Sequence, residues 1–528
     1  MTSENIGETR KADVDGNVDV QVVETQDGPG EVTAVYNSTD APMVVDLQGK
    51  KLHAAAHGNK SNYLETVYVQ SNKAITVTDS KGTGKLTISA GIGENGEVDT
   101  KTKPRAVNGI GIDSKGTFTS DVNVEISGVK SSGTRGTYGI SMSSSDGNST
   151  AIFNKDLTIH NVENSNKAGT SVSGINLDGS TGSGSSSMTV KGKLDIADIA
   201  GSAVKVMNGS VLTTSFASVK AAAPTADNTS NQYYAVNAVK GTINLNTGDG
   251  ITPGKLDVTG DIKLTDDAQS VVNMNLNAAS LWKGASIINT TSTYNDPSAQ
   301  MNLAMEEGSS WTHTTGLSGD TAASSFAGSR ISKLSGQGGV VYQDSDKPVT
   351  VYDYSGNKTV VYRHDSADPT MIQGGDFIVK KAASGSAITL VTGSEGIKAG
   401  FKDTDSAADR NKVSAVLNKL ANKLYYSGYA KEKNLTGVVR IAEGLTASSA
   451  SAAVGKEGKI TFSNGTGEGL SAGQGYYAYV PDSEVVYKTG PITDSEKISE
   501  TRKDEEGTVY VKAVNPNADS EKYVSALY

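Results

Sequence analysis

Short runs of alternating apolar and polar residues fill most of the chain. Each run carries a pair of apolar residues two positions apart, such as Val67 with Val69 and Ile75 with Val77. A period of two puts these side chains on one face of a strand and the polar residues on the other. Turn-forming residues separate the runs, as in the Asp-Ser-Lys-Gly segment at 79–82. The pattern predicts many short strands.

A longer repeat lies above this alternation. Each copy has a small residue, an apolar residue, any residue and usually a second apolar residue. The first apolar residues of the copies are Ile110, Ile140, Ile175, Val204 and Val236. Subtraction (140−110, 175−140, 204−175, 236−204) gives steps of 30, 35, 29 and 32 residues. A loose period of this kind, with two or three strands per cycle, is typical of a solenoid.

The repeat predicts an all-β fold, a parallel β-helix whose apolar side chains stack in an inner column. A dozen or more coils at about 4.8 Å each would form a rod roughly 60 Å long or longer. We expect the small residue of each copy at a tight corner where neighbouring backbones pass closely; these residues are Gly109, Gly139, Gly174, Ala203 and Ala235. A string of β-sandwiches is the disfavoured alternative, because Asn-Gly and Asp-Gly hairpins do not dominate.

One segment, at about 406–425, has helical spacing instead. Its apolar residues follow one helix face and are Val413, Val416, Leu417, Leu420 and Leu424. Asp405 or Ser406 can cap the start, and Gly428 lies just past the end. The spacing predicts one short amphipathic helix, docked on the flank or end of the solenoid.

Composition and charge narrow the partners. The chain has 528 residues, 36% hydrophobic and 6% aromatic, with 59 Gly and a formal net charge of -10. Few aromatic residues disfavour one thick globular core, and frequent Val, Ile and Thr disfavour disorder. A negative surface repels phosphate backbones, so we expect no nucleic-acid partner.

Cysteine is absent from the chain. This excludes thiol catalysis, cysteine-ligated zinc and iron–sulfur clusters, while a long solenoid needs no disulfides. No stretch approaches the roughly 18 consecutive apolar residues of a membrane span, so we expect no direct membrane insertion. The polar N-terminus lacks the apolar core of a signal peptide, which predicts either a cytosolic chain or a fragment whose export signal lies outside it.

Several segments in the range 270–480 resemble the passenger region of classical, pertactin-like autotransporters. The resemblance includes a W-x-G motif at 282–284, Trp311 after Gly308-Ser309-Ser310, the intervening strand 301–305 and the glycine-rich strand 374–379. The segments 421–426, 434–437 and 441–446 resemble a module of large autotransporters from anaerobic diderm bacteria. The repeats before residue 270 share the alternating strand pattern of this family, but they contain none of its motifs.

The resemblance implies a right-handed parallel β-helix displayed on the cell surface of a diderm bacterium after export through a C-terminal barrel. It suggests an N-terminal segment or cap at 1–30, the β-helix at 31–400, the inserted helix at 401–430 and a β-rich passenger end at 431–528. On this interpretation the chain is an isolated passenger, and the signal peptide and the barrel lie outside it. Passage through a narrow pore also favours a chain without disulfides that folds coil by coil.

Three short motifs resemble functional sites, but a chance match or a structural role fits each better. Gly-Leu-Ser-Ala-Gly at 469–473 fits G-x-S-x-G, yet no helix pattern follows it. The five histidines are His53, His57, His160, His313 and His364, and their spacing gives no H-E-x-x-H motif, so we expect loops or strand ends. Asp13, Asp15, Asn17 and Asp19 alternate like a calcium loop, but Gly16 is misplaced for an EF-hand and a frayed terminus is favoured.

Two further sets of residues leave a functional interpretation open. Asp113 and Asp178 occupy comparable turns, with Ser143 or Ser144 between them, and could stack as the carboxylates of a β-helix lyase or hydrolase. Turn formation is the simpler interpretation of both. Paired tyrosines suit contact surfaces as well as ordinary strands; they are Tyr233-Tyr234, Tyr425-Tyr426 and Tyr476-Tyr477. No catalytic, cofactor-binding or metal-ligating residue is predicted, and no cofactor.

The resulting hypothesis is a non-enzymatic adhesin or self-association rod. Its partners would be host-cell, matrix or bacterial surface ligands, or further copies of the chain, bound through loops or ladder faces. A carbohydrate-active β-helix enzyme is the first alternative and predicts clustered carboxylates in a groove. A passive surface stalk, with recognition done elsewhere, is the second.

Overall fold

The computed structural model describes the following residues of the chain: 7–14, 16–24, 31–37, 39–58, 63–91, 106–165, 171–179, 184–223, 233–289, 296–317, 327–365, 367–393, 408, 412, 415–416, 419–426, 434–442, 476–479, 485–487, 501–503, 509–514 and 521–527. Strands dominate these residues, and a single short helix accompanies them. The prediction of an all-β chain with one helix is therefore confirmed.

The strands are numbered along the chain. The first twenty are β1 (Gly7–Val14), β2 (Asn17–Glu24), β3 (Glu31–Tyr36), β4 (Met43–Asp46), β5 (Lys51–His57), β6 (Tyr63–Val69), β7 (Ala74–Thr78), β8 (Lys85–Ala90), β9 (Ala106–Ile112), β10 (Thr117–Ser120), β11 (Asn123–Ser131), β12 (Thr137–Ser144), β13 (Ser149–Phe153), β14 (Leu157–Asn164), β15 (Val172–Gly179), β16 (Ser186–Ile199), β17 (Ser202–Met207), β18 (Val211–Lys220), β19 (Tyr234–Val239) and β20 (Thr242–Leu245). The others are β21 (Leu256–Thr259), β22 (Asp261–Thr265), β23 (Val271–Leu276), β24 (Leu281–Gly284), β25 (Ser286–Asn289), β26 (Gln300–Met305), β27 (Ser310–His313), β28 (Ser329–Ser335), β29 (Gln337–Gln343), β30 (Val349–Tyr354), β31 (Asn357–His364), β32 (Ile372–Gln373), β33 (Phe377–Val379), β34 (Ser386–Gly393), β35 (Leu424–Tyr426), β36 (Leu435–Ala442), β37 (Tyr476–Tyr479), β38 (Val485–Tyr487), β39 (Thr501–Lys503), β40 (Val509–Val514) and β41 (Glu521–Leu527).

The chain divides into two compact units. Unit 1 comprises Met1–Asn275, Ile287–Gln300 and Gly316–Ser325, and unit 2 comprises Leu276–Ser286, Met301–Thr315 and Phe326–Tyr528. Both units contain parallel strands from successive coils, and each is described separately.

Unit 1 has three faces, and each coil contributes one stretch of strand to every face. The first face is the sheet β3, β6, β9, β12, β15, β17, β19, β22 and β25. The second face contains β4, β7, β10, β13, the first parts of β16 and β18, then β20 and β23. The third contains β2, β5, β8, β11, β14, the second parts of β16 and β18, then β21. Neighbouring strands within the second and third faces are parallel, as expected for a β-helix.

The apolar side chains predicted to stack do lie one above another. Ile140 pairs with Ile110 on one side and with Ile175 on the other, and the column continues through Val204 to Val236. All five are fully buried. Because the register repeats from coil to coil, one apolar position per strand produces a continuous inner column. This confirms the parallel β-helix.

The small residue before each of these apolar residues lies inside the strand and not at a corner. A Cβ on Gly139 would lie 2.6 Å from the backbone oxygen of Gly174 on the next coil and 2.6 Å from Cγ2 of Ile159. Gly109 has the same surroundings, and its Cβ would lie 2.6 Å from the Gly139 oxygen. The predicted close approach of backbones is present, but its predicted location was wrong.

The N-terminal residues form a hairpin. β1 pairs antiparallel with β2, from Gly7 opposite Glu24 to Val14 opposite Asn17. β2 in turn pairs parallel with β5. Asp13, Asn17 and Asp19, which were predicted to lie in a frayed terminus, therefore belong to this hairpin, and Asp15 lies outside the described residues. Parallel pairing begins before the predicted boundary at residue 31.

Unit 2 is built largely from coils with two strands. One row contains β26, β28, β30, β33 and β35, and the other contains β24, β27, β29, β31, β34 and β36. Ser329 pairs with Val349, so that coil takes 20 residues (349−329) against 30 between Ile110 and Ile140 in unit 1. A coil with two strands explains the shorter step.

The predicted helix is present but ends early. Helical residues among those described lie at 408, 412, 415–416 and 419–421, and Val416 and Leu420 are buried. Leu424, predicted as the last residue of the helix face, instead begins β35 and pairs with Phe377. Parallel pairing continues to β36, beyond the predicted boundary at residue 400, and β36 to β41 are joined by antiparallel pairs.

Candidate functional site

The two aspartates predicted to stack share one column on the first face. Ser143 pairs with Asp178, and Asp113 directly follows Ile112, which pairs with Met142. Two coil steps of about 4.8 Å therefore separate the aspartates. Asp113 accepts a hydrogen bond from Tyr68 Oη on the preceding coil at 2.6 Å, whereas Asp178 accepts one from Asn208 Nδ2 on the following coil at 2.8 Å. Each aspartate is therefore hydrogen-bonded to a different coil, Asp113 to the preceding one and Asp178 to the following one.

A buried acid, Glu65, lies near Asp113 and was missed in the sequence. Asn108 Nδ2 donates a hydrogen bond to Glu65 Oε1 at 2.6 Å, and Glu65 is 7% exposed. Burial raises the pKa of Glu65 to about 8; the Asn108 hydrogen bond opposes this, and the charges of Glu31 and Asp113 add to it. Glu65 therefore holds its proton at neutral pH. The absence of a side chain at Gly111 makes room for the Glu65 carboxyl, because a Cβ at that position would lie 2.2 Å from Glu65 Oε1.

Two stacked tyrosines adjoin this acid. The rings of Tyr36 and Tyr68 have centroids 5.8 Å apart and planes 9° from parallel, and Tyr36 Oη donates to Gln70 Oε1 at 2.8 Å. Burial also raises the pKa of Asp113, although the hydrogen bond from Tyr68 opposes that shift. A protonated carboxyl beside a second carboxyl is the arrangement of an acid–base pair. Glu65 is covered, however, so a substrate could not reach it in this conformation.

The outer surface of the third face is strongly charged. Its central column runs from Asp19 and His53 through Glu125 to Asp195 and Asp257, with Thr or Ser between them. His53 Nδ1 lies 2.9 Å from Asp19 Oδ1. Glu125 contacts both Lys85 and His160, and these two hydrogen bonds lower its pKa. Partly exposed ion pairs of this kind contribute little stability, so they mainly set the charge of the face.

Two columns of side chains on the outer surface of the second face are uncharged from β7 to β23. Each of the seven strands contributes one half-buried side chain to each of these in-register columns. One column is Ala74, Thr117, Thr150, Ser187, Val211, Thr242 and Val271, and the other is Thr76, Thr119, Ile152, Thr189, Thr213, Asn244 and Asn273. The asparagines form a ladder, with Nδ2 of Asn273 donating to Oδ1 of Asn244 at 2.8 Å. The surface is a regular array of hydroxyl, amide and methyl groups.

His57, His313 and His364 end β5, β27 and β31, as predicted for strand ends, whereas His53 and His160 lie within β5 and β14. His53 and His160 lie partly exposed on the third face, whereas His57, His313 and His364 are buried. His313 Nδ1 lies 2.6 Å from Gln343 Oε1, and burial lowers its pKa to about 4. A buried neutral imidazole held by an amide is a packing residue and not a general base at neutral pH.

The two tryptophans of the resemblance lie in register in unit 2. Trp282 pairs with Trp311, and their rings stack with centroids 4.6 Å apart and planes 5° from parallel. Both are fully buried, and Trp311 Nε1 donates to the backbone oxygen of Gly284 at 3.0 Å. The W-x-G motif thus supplies a core rung and a carbonyl partner for the next indole.

Among the paired tyrosines with described side chains, only Tyr425 is exposed. Tyr233, Tyr234 and Tyr426 are buried in the core. Tyr476-Tyr477 belongs to β37, and the G-x-S-x-G segment at 469–473 lies outside the described residues. The tyrosine pairs with described side chains therefore provide little contact surface.

Within the part of the chain that the structure describes, no group of three or more His, Asp or Glu side chains could hold a metal ion. In the segment at 13–19 that alternates like a calcium loop, Asn17 Oδ1 accepts a hydrogen bond from the Lys51 backbone at 3.0 Å, and Asp19 pairs with His53. No helix among the described residues is long and apolar enough to cross a membrane.

Comparisons with known proteins found no family model that matches the chain, no curated protein similar to it and no similar solved structure. The fold and its surfaces therefore rest on the residues and contacts of this chain alone.

The neutral columns of the second face were not predicted from the sequence. A signal was available, because Thr-Phe-Thr at 117–119 recurs in weaker form as Thr-Ala-Ile at 150–152 and Ser-Met-Thr at 187–189. Each triplet has a buried apolar residue between two outward side chains. Alignment of the coils on that central residue would have revealed the array.

Proposed function

We propose that the chain is an adhesive surface scaffold, the exported passenger of an autotransporter of a diderm bacterium. Its resemblance at Trp282 and Trp311, its lack of cysteine and its parallel β-helix support this assignment. The scaffold binds surface ligands or further copies of itself and performs no chemistry.

The in-register outer columns of unit 1 carry this proposal. Each coil presents the same kind of outward side chain at a fixed spacing of about 4.8 Å, so one weak contact is repeated along a face. Repeated contacts between linked sites give an avidity well above that of any single contact. A catalytic centre instead needs a few convergent groups at one place.

Adhesion is tested with beads that carry the purified full chain. We expect these beads to bind to cells, to extracellular matrix or to one another, and we expect beads carrying heat-denatured chain not to do so. Export is tested by fusing the chain to a signal peptide and a translocator barrel of another autotransporter, with surface exposure read by antibody labelling. Beads that bind nothing would contradict adhesion, and a fusion that stays in the periplasm would contradict export.

A carbohydrate-active enzyme is the second candidate, and the raised pKa of Glu65 near Asp113 is the observation that favours it. Cleavage of polysaccharides by the chain, lost in both Glu65→Gln and Asp113→Asn, would support this candidate. Because the Glu65 side chain is buried, a structural role is favoured, and we expect no cleavage products.

A further inference from the structure

Two outward columns on the second face of unit 1 are neutral over a length that chance explains poorly. Two columns across seven strands give 14 positions, none of them charged. At the chain average of 20% charged residues, about three of the 14 would carry charge (0.20 × 14). Core packing does not account for the difference, since the third face has the same backbone pairing and carries many charges.

The array is regular and stiff. Side chains repeat at about 4.8 Å from coil to coil and at roughly 6.6 Å between alternate residues of one strand. Seven of the 14 residues are threonine, whose branched side chain has few rotamers to lose on binding. Hydroxyl and amide groups both donate and accept hydrogen bonds. Ile152, Val211 and Val271 add apolar patches among them.

We infer that this face binds a strand of uncharged polysaccharide lying along the stack of coils, which rests on the proposed adhesive function and names its ligand class. A neutral glycan offers what the face offers, namely hydroxyls that donate and accept and C–H surfaces between them. Each coil would contribute one or two hydrogen bonds, and affinity would accumulate with the length of the strand.

The charge of the chain argues against polyanions. Nucleic acids and acidic polysaccharides gain nothing from a neutral face and are repelled by a net charge of -10. A basic partner would prefer the acidic groups of the third face, such as Asp195 and Asp257.

Area argues against a second copy. Six coil steps of about 4.8 Å and a width of two outward residues give a patch of roughly 300 Å². A stable protein interface needs about 800 Å² on each partner. A single glycan strand requires only a narrow track, so it fits this face better than another copy does.

The matched test places lysines on two faces of the full chain. Thr119→Lys with Thr189→Lys puts two charges in the neutral columns, and Thr87→Lys with Thr158→Lys puts two on equally half-buried threonines of the third face. All four side chains point outward, so both double variants should fold; circular dichroism and thermal unfolding check this.

Binding is measured by affinity electrophoresis in gels containing dextran, linear β-1,4-glucan, mannan or polygalacturonate. We expect at least one neutral polymer to retard the chain at both low and high salt, and retardation by polygalacturonate to be absent. Oligosaccharides of that polymer should compete better as they lengthen. The second-face variant should bind at least about tenfold more weakly, because a neutral ligand would desolvate the lysine ammonium groups without offering a compensating charge. The third-face variant should bind like the parent chain.

Three results would overturn the inference. One is no retardation by any neutral polymer; another is equal binding by both variants; the third is self-association that only the second-face variant loses, which would assign the face to a second copy. The bead assay separates this failure from failure of the proposed function. If beads carrying the second-face variant still adhere, the chain is adhesive and its ligand binds elsewhere; if beads carrying the parent chain do not adhere, the adhesive function itself is wrong.

Discussion

Glu65 should make unit 1 more stable in mild acid than at neutral pH. Its pKa is about 8 in the folded chain and near 4.5 in the unfolded chain. Between these values the folded state holds a proton that the unfolded state has released. The stabilisation is fully present below pH 4.5 and is lost as the pH rises towards 8.

The size of the effect follows from the shift. One pH unit within this window changes the free energy of unfolding by about 1.4 kcal/mol. From pH 5 to pH 7 the contribution of Glu65 therefore falls by roughly 3 kcal/mol. The pKa of Asp113 is also raised in the folded chain. Its ionisation therefore also lowers the free energy of unfolding as the pH rises, at the acid end of the same pH range.

Glu65→Gln isolates the contribution of one carboxyl. Glutamine keeps an oxygen that accepts the hydrogen bond from Asn108 and has no proton to lose. We expect the variant to match the parent chain near pH 5 and to be more stable by roughly 3 kcal/mol near pH 7. The control is Glu163→Gln, which removes the same charge from a half-exposed residue of β14 and leaves Glu65 in place, so the pH dependence that Glu65→Gln abolishes should persist.

Hydrogen exchange is the suitable assay, because a chain with two units need not unfold in one step. Protection of amides in β6 and β9 is compared between pH 5 and pH 8, after correction for the intrinsic exchange rate. Parallel pH profiles for the parent chain and Glu65→Gln would refute the reasoning, because the carboxyl would then titrate alike in the folded and unfolded states.

Three further substitutions test the core. Gly139→Ala should destabilise unit 1 by about 1–3 kcal/mol in urea unfolding, because its Cβ meets a backbone oxygen 2.6 Å away; Ala203→Gly, at the matching place two coils on, should cost no more than about 1 kcal/mol. Trp311→Ala should cost unit 2 about 3–5 kcal/mol and abolish any exciton signal from the chain's two tryptophans in circular dichroism. His313→Gln should remove the loss of stability of unit 2 that we expect as the pH falls from 6.5 to 4, measured by hydrogen exchange in β27 and β29.

The inner column could be predicted because it depends on local pattern alone. Ile110, Ile140 and Ile175 each follow a small residue and precede an alternating strand, and the period of the repeat exceeds any helical or sandwich spacing. Once the apolar residue of one repeat points inward, the hydrogen-bonded register places the matching residue of each neighbouring repeat directly above or below it.

The helix end and the buried acid could not be predicted in the same way. Leu424 fits helical spacing from Leu420, but it also alternates with Tyr426 as a strand, and pairing with β33 decides between them. Glu65 has the appearance of an outward residue in an ordinary strand. Its burial depends on Gly111 and Asn108, which are more than forty positions away in the sequence.

The outer surface was hard to predict for a related reason. Inward positions are apolar on every face, because they fill the core. Outward positions have no such common requirement. Thr119 and Thr158 are indistinguishable within their own strands, yet one lies in a neutral column and the other among charges. Only alignment of coils by register separates these two surfaces.

The buried titratable groups give the two units opposite responses to acid. In unit 1, Glu65 loses stabilisation as the pH rises from 4.5 to 8. In unit 2, burial lowers the pKa of His313 to about 4 and that of Lys358 to about 8, so both contribute stability at high pH that is lost as the pH falls, below 6.5 for the histidine and between 10.5 and 8 for the lysine. A shift from pH 7 to pH 5 therefore strengthens β6 and β9 while it weakens β27 and β29. Since both responses are read on one chain in one sample, each unit serves as the reference for the other.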